Sequence, residues 1–282
     1  MSAPTTTAQS SAARISGKEL ALWTSLLFLA NGLVGLTLAG PGVVDFDPGG
    51  LVDFLFGGGF VAVAWGAALW LLARAPSQGA SAADMAVMFG LCLLGGLAPT
   101  TALPLAVTAL GLWLCLKKDD QLRAAGAVFL AIASQQFWGR LILGALAPEL
   151  VRFDAALIGE AMAHTVRGST WRDNIITTPS GYSIVVLEGC SSFANVSTAL
   201  LAWLGFGRLE RARWLKRDLF VGAAIVVSQI ALNVARMYLM AQSYPYYLYW
   251  HDGAGKQIYV AAASASAVLI SIVGTHWAGR KR

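Results

Sequence analysis

Apolar residues fall into eight long runs, at roughly 20–39, 55–73, 83–98, 101–116, 124–146, 190–206, 218–241 and 257–276. Polar or Gly/Pro-bearing breaks separate them. Runs of this kind, with almost no charge, read as membrane-spanning helices of about 20 residues each. The third and fourth are short and divided only by Ala98-Pro99-Thr100-Thr101, which suits a tight helical hairpin. One sizeable stretch, about 147–189, does not read as a span. Its first part, 149–166, alternates apolar and polar positions as a helix lying on a membrane surface would. Its second part, 168–188, carries Pro179, Gly181 and the β-prone run Tyr182-Ser183-Ile184-Val185-Val186. The pattern predicts an all-α integral membrane protein, a bundle of about eight transmembrane helices. It is organised as a polar, disordered tail over 1–17 followed by one polytopic domain over 18–282.

Composition sharpens this. The chain is 57% hydrophobic and 12% charged, with mean hydropathy +0.63, about half the charge of a soluble domain. The net charge of +5 is explained by where the basic residues lie. With a cytoplasmic N-terminus, fourteen of the twenty Lys and Arg fall on inside segments, and only Arg152, Arg167, Arg172 and Lys256 fall outside. The first outer loop holds Asp45, Asp47 and Asp53 with no Lys or Arg. The positive-inside rule therefore places both termini in the cytoplasm and gives no reason to invoke nucleic acid. Arg208-Leu209-Glu210-Arg211-Ala212-Arg213 reads as a solvated cytoplasmic loop. Arg14 and Lys18 before the first run resemble the start of a signal peptide, but the run is long enough to be a retained span.

Two arginines, Arg140 and Arg236, lie within spans, where a charge is costly enough to suggest function. Gln229, Asn233, Arg236 and Ser243 share one face of the seventh helix, so that face points into the bundle. Two readings of Arg236 stand: a charge held for chemistry, or a side chain snorkelling to the outer headgroups beside polar interhelical contacts. His251 follows on the outer side, in Tyr249-Trp250-His251-Asp252-Gly253. It is placed either as an interfacial residue or as a proton carrier. Cys190 opens the sixth span, where helix N-termini favour the thiolate of a cysteine; ordinary packing is the bland alternative.

Topology from Lys and Arg alone brings Cys190, Arg236 and His251 to one membrane face. Together they form a workable acyl-transfer set: a thiol nucleophile, an acid/base imidazole and a cation for an oxyanion. Gln136 and Arg140, one turn apart, either line a cavity or pair with each other, and Glu188 either holds an arginine or caps a turn. Asn195-Val196-Ser197 matches a glycosylation sequon but lies inside a span. Cys92, Cys115 and Cys190 show no CxxC spacing and no nearby His cluster, so neither a disulfide framework nor a metal site is expected. There is no P-loop, HExxH or GxSxG.

These blocks, Cys190-Ser191 at a span start, Asn233-Val234-Ala235-Arg236 on the next, and His251-Asp252-Gly253 before Tyr259, resemble the exosortase/archaeosortase family in order and spacing. The family usually has glycine where this chain has Ser192. The resemblance implies a multi-pass enzyme of the bacterial inner membrane with its site facing the periplasm. Its catalytic groups would be Cys190, Arg236 and His251, in a core at about 186–260, with Ser191 and Asn233 in support. Implied substrates are exported proteins with a C-terminal motif, a transmembrane helix and a basic tail, processed without metal or organic cofactor. Two readings from other classes stay open. An anion transporter would need Arg140 as much as Arg236 and could dispense with Cys190. A structural subunit of an exopolysaccharide export system would have no site at all.

Overall fold

The computed structural model describes residues 15–38, 59–97 and 102–280. Most of the polar tail and of the first outer loop lies outside them. Within the described residues, each apolar run is largely helical. The helices are α1 (Gly17–Leu38), α2 (Gly59–Arg74), α3 (Ala82–Leu97), α4 (Ala102–Cys115), α5 (Asp120–Ala133), α6 (Gly139–Thr165), α7 (Ser192–Glu210), α8 (Asp218–Gln242), α9 (Tyr244–His251) and α10 (Ala254–Gly279). Among the described residues, α8 and α10 are both long and apolar enough to cross a bilayer, with mean hydropathy 1.8 and 1.9. α2 and α4 are shorter apolar helices.

α3 and α4 pack as the expected hairpin, with α1 and α5 against them. Phe28, Leu72, Leu110, Leu114 and Phe129 fill the core of this half. α2 and α5 carry the packing over to α7, which joins α8 and α10 in a second group around Trp203, Ile225 and Ala267. Side chains bond across the helices here as expected in a membrane bundle. The Gln229 amide, on the polar face of α8, donates to Ala263 C=O and Ser266 Oγ of α10, both at 3.0 Å.

The fifth run differs from expectation. α5 passes through a π-helical turn (Ser134–Trp138) directly into α6. The segment expected as a separate surface helix is therefore continuous with the helix of the fifth run, with Pro148 inside it. A buried stripe of Val151, Ala155, Ile158 and Met162 runs along α6, and this face packs on α8 and the sheet. The β-prone run does form a strand. β1 (Thr170–Arg172), β2 (Ile175–Thr177) and β3 (Ser183–Val185) make an antiparallel sheet in that order. Asp173, with φ 54°, turns the first hairpin, and Gly181, with φ 82°, lies in the second. Gly159 of α6 lets the sheet close down, because a Cβ there would lie 2.4 Å from the Trp171 ring. Ile176, Ile184 and Val186 bury the sheet's inner face against α6 and α8.

Arg208 is a correction. It is not solvated but 1% exposed, paired with Asp218 at 3.1 Å and lying over the Trp214 ring at 4.0 Å. Arg211 closes on the same carboxylate at 2.5 Å. Asp218, at the start of α8, thereby ties the end of α7 to the next helix. This basic cluster lies at the far end of α7 from Cys190, about 27 Å away at helical rise.

Candidate active site

Cys190 ends a short 3-10 turn (Glu188–Cys190) that leads from β3 into α7, rather than being part of the helix itself. Its backbone is held from two sides. The Asn233 amide of α8 donates to Cys190 C=O at 2.9 Å. On the α6 side, Asp154 accepts three hydrogen bonds from the two residues that follow the thiol. They come from Ser191 Oγ at 2.9 Å, Ser192 N–H at 2.8 Å and Ser192 Oγ at 2.8 Å. Asp154 and Ser192 are fully buried. Ser192, at the position where the resemblance leads one to expect glycine, thus uses its hydroxyl to hold the carboxylate.

The backbone amides around the thiol are all engaged. Cys190 N–H bonds Leu187 C=O at 2.9 Å, and Ser191 N–H bonds Glu188 C=O at 3.0 Å. Ser192 N–H goes to Asp154, and Phe193 N–H to the capping Ser191 Oγ at 3.4 Å. The start of α7 therefore presents no free amide from residues 190–193 as an oxyanion hole.

Asn233 Oδ1 accepts from Tyr259 O–H of α10 at 3.2 Å, and the Tyr259 oxygen accepts in turn from Asn195 Nδ2 of α7 at 2.7 Å. Asn195 is thus an interhelical link. Arg236, one turn beyond Asn233, lays its guanidinium 4.7 Å from the Tyr259 ring centroid and donates from Nε to Trp250 C=O at 3.1 Å. Among the described residues no carboxylate pairs with it. A Cβ at Gly255 would lie 2.8 Å from the Trp250 ring, so glycine is needed where α9 abuts α10.

His251 ends α9, next to the carbonyl that Arg236 holds. Its Nδ1 lies 2.7 Å from Asp252 Oδ1, and its ring stacks on Tyr247 at 4.8 Å. A carboxylate accepting from Nδ1–H leaves Nε2 as the proton acceptor. No hydrogen bond joins Cys190 Sγ directly to His251 or Arg236. Tyr247 is near both Cys190 and His251. It packs in the same apolar cluster as Cys190 and stacks on His251. Burial pushes its phenol above the ordinary value, Asp252, Cys190 and Tyr244 add to the rise, and Arg236 opposes it.

The remaining candidates are less connected. Glu188 is exposed, and its recorded contact is through its carbonyl. Gln136, in the π turn, and Arg140, at the start of α6, are both exposed, with no bond between them. Among the described residues no cluster of His, Cys, Asp and Glu has the makings of a metal site. Asp154 and Tyr247 were not singled out in the sequence, and Asp252 and Tyr259 in the His block and Asn195 in the sequon were given no role there. Asp154 did leave a signal: it falls on the same helical stripe as Val151, Ala155 and Ile158, and is therefore an acid on a buried face.

A family model described as transmembrane exosortase matches residues 52–268. No curated protein and no solved structure matches the chain.

Proposed function

The chain belongs to the transmembrane exosortase family, and from that premise we propose a membrane-embedded cysteine transpeptidase or protease that cleaves C-terminal sorting signals of exported proteins. The observation that carries this reading is a cysteine whose backbone is held by Asn233 and whose next two residues are held by Asp154, with Arg236 and a carboxylate-oriented His251 one helix away.

In the proposed reaction Cys190 Sγ attacks the scissile carbonyl and its proton passes to His251 Nε2. The tetrahedral oxyanion is met by Arg236, because the amides at the start of α7 are already used. Collapse breaks the C–N bond, His251 protonates the departing amine, and a thioester remains on Cys190. An acceptor amine or water then attacks that thioester, with His251 taking its proton, and regenerates the thiol. Asp252 holds the imidazole in the tautomer this requires.

The proposed setting is the bacterial inner membrane, with all eight apolar helices crossing and both termini in the cytoplasm. The site would face the periplasm. The distribution of Lys and Arg supports this orientation, as does the separation of the basic cluster at Arg208 from Cys190 along α7. Arg140 is exposed rather than turned into the bundle beside Arg236, which disfavours the transporter reading.

The test is processing of a co-expressed exported protein that carries a C-terminal transmembrane helix and basic tail. Wild type should shorten it and Cys190→Ala at matched membrane level should leave it intact. Equal shortening by both would refute the nucleophile.

A further inference from the structure

We propose that Asp154 is a positioning residue for the acyl-transfer step, setting the backbone of Cys190 from the α6 side while Asn233 sets it from the α8 side. The inference rests on the reading of Cys190 as the nucleophile.

Asp154 is 0% exposed, and among the described residues no cation pairs with it. A buried carboxylate without a counter-charge is unfavourable unless its hydrogen-bonding capacity is filled. Here three donors fill it, all from the two residues next to the thiol. The positive end of the α7 dipole, reaching the carboxylate through Ser192 N–H, supplies favourable potential that a cation would otherwise provide. Nothing else in the contacts of Asp154 calls for a charge, since its neighbours on the stripe are apolar.

Two consequences follow. Cys190 sits at the junction of an extended strand, a 3-10 turn and a helix, where the chain has several alternative paths. The bonds to Ser191 and Ser192 select one of them and so fix where the Cα–Cβ bond of Cys190 points. The carboxylate also occupies the amide at the helix start, leaving the oxyanion to the side chain of Arg236. Asp154 touches no reacting atom in this account. Its effect reaches the chemistry through the direction of the thiol.

The experiment uses the full chain reconstituted in lipid nanodiscs, with the exported protein described above as titrated substrate. Rates are expressed per molecule of folded protein in which Cys190 can be labelled by a maleimide. Asp154→Ala should lower kcat about 100-fold, the scale of an ångström-sized displacement of a reacting group, with KM within about two-fold. Ser192→Ala, which keeps the backbone bond, should lower kcat about three- to ten-fold. It serves as the readable variant if Asp154→Ala does not fold. Normal kcat per labelled site in both variants, or a loss confined to KM, would overturn the proposal. If Cys190→Ala still processes substrate, the nucleophile reading falls and this one with it. If Cys190→Ala is inactive and Asp154→Ala is fully active, the positioning role alone is lost.

Discussion

Two carboxylates are fully buried at opposite ends of α7 and are neutralised in different ways. Asp218, at the basic end, is met by Arg208 at 3.1 Å and Arg211 at 2.5 Å, and also accepts from Leu215 N–H at 2.8 Å. Asp154, at the thiol end, is met by two hydroxyls and an amide and by no cation. The first arrangement staples two consecutive helices where they turn, a task that apolar packing could also perform. The second holds a particular stretch of backbone beside a cysteine, a task that needs acceptors at defined positions. Both cost desolvation, but they return different things: cohesion in one case, geometry in the other.

The comparison can be broken by substitution, and the largest stability effect should come from the basic end. Asp218→Ala leaves Arg208 buried and unpaired and should cost about 3–5 kcal/mol, read as thermal unfolding in detergent and as loss of membrane level. Asp154→Ala strands hydroxyls and an amide but no charge, and should cost about 1–3 kcal/mol. The reverse order would mean that Asp154 is the structural staple.

Arg208→Met combined with Asp218→Leu sharpens the same contrast. Replacing a buried ion pair by apolar groups is often close to neutral, so the double variant should recover more than half of the stability lost in Asp218→Ala. No recovery would show that the pair serves more than cohesion. Ser191→Ala, which removes one of Asp154's donors, should change stability by about 0.5–1.5 kcal/mol. The smallest effect is expected at Arg123, whose pair with Asp120 is solvent-exposed. Arg123→Ala should stay within about 0.5 kcal/mol, locating the stability of the basic end in its buried pair.

Much of the bundle was legible in the sequence because membrane helices must be apolar throughout, and length and charge then mark them without reference to neighbours. Every apolar run in the described residues is largely helical, the hairpin of α3 and α4 forms, and the run ending at Val186 contributes a strand. The errors share a cause. The basic run at Arg208 looked solvated because its partner, Asp218, is ten residues on, across a turn that no helical period describes. The segment after Pro148 looked like a separate helix because its partners, α8 and the sheet, were invisible in the local pattern. In the site, Asn233 and Arg236 were legible because they share a face with Gln229. The link of Tyr259 to Asn195 and Asn233 was not, because it runs between helices and has no sequence period. Asp252 was missed although it adjoins His251; a carboxylate beside a loop histidine is common enough to be read as solvation.

The central claim is that Cys190 forms a covalent bond to substrate. The most direct measurement is mass spectrometry of the chain after co-expression with the exported protein, with and without hydroxylamine. The account predicts a hydroxylamine-labile acyl adduct on the peptide that contains Cys190, enriched when Asp252→Asn slows release and absent in Cys190→Ala. Cleavage of substrate with no adduct on that peptide, persisting in Cys190→Ala, would contradict it.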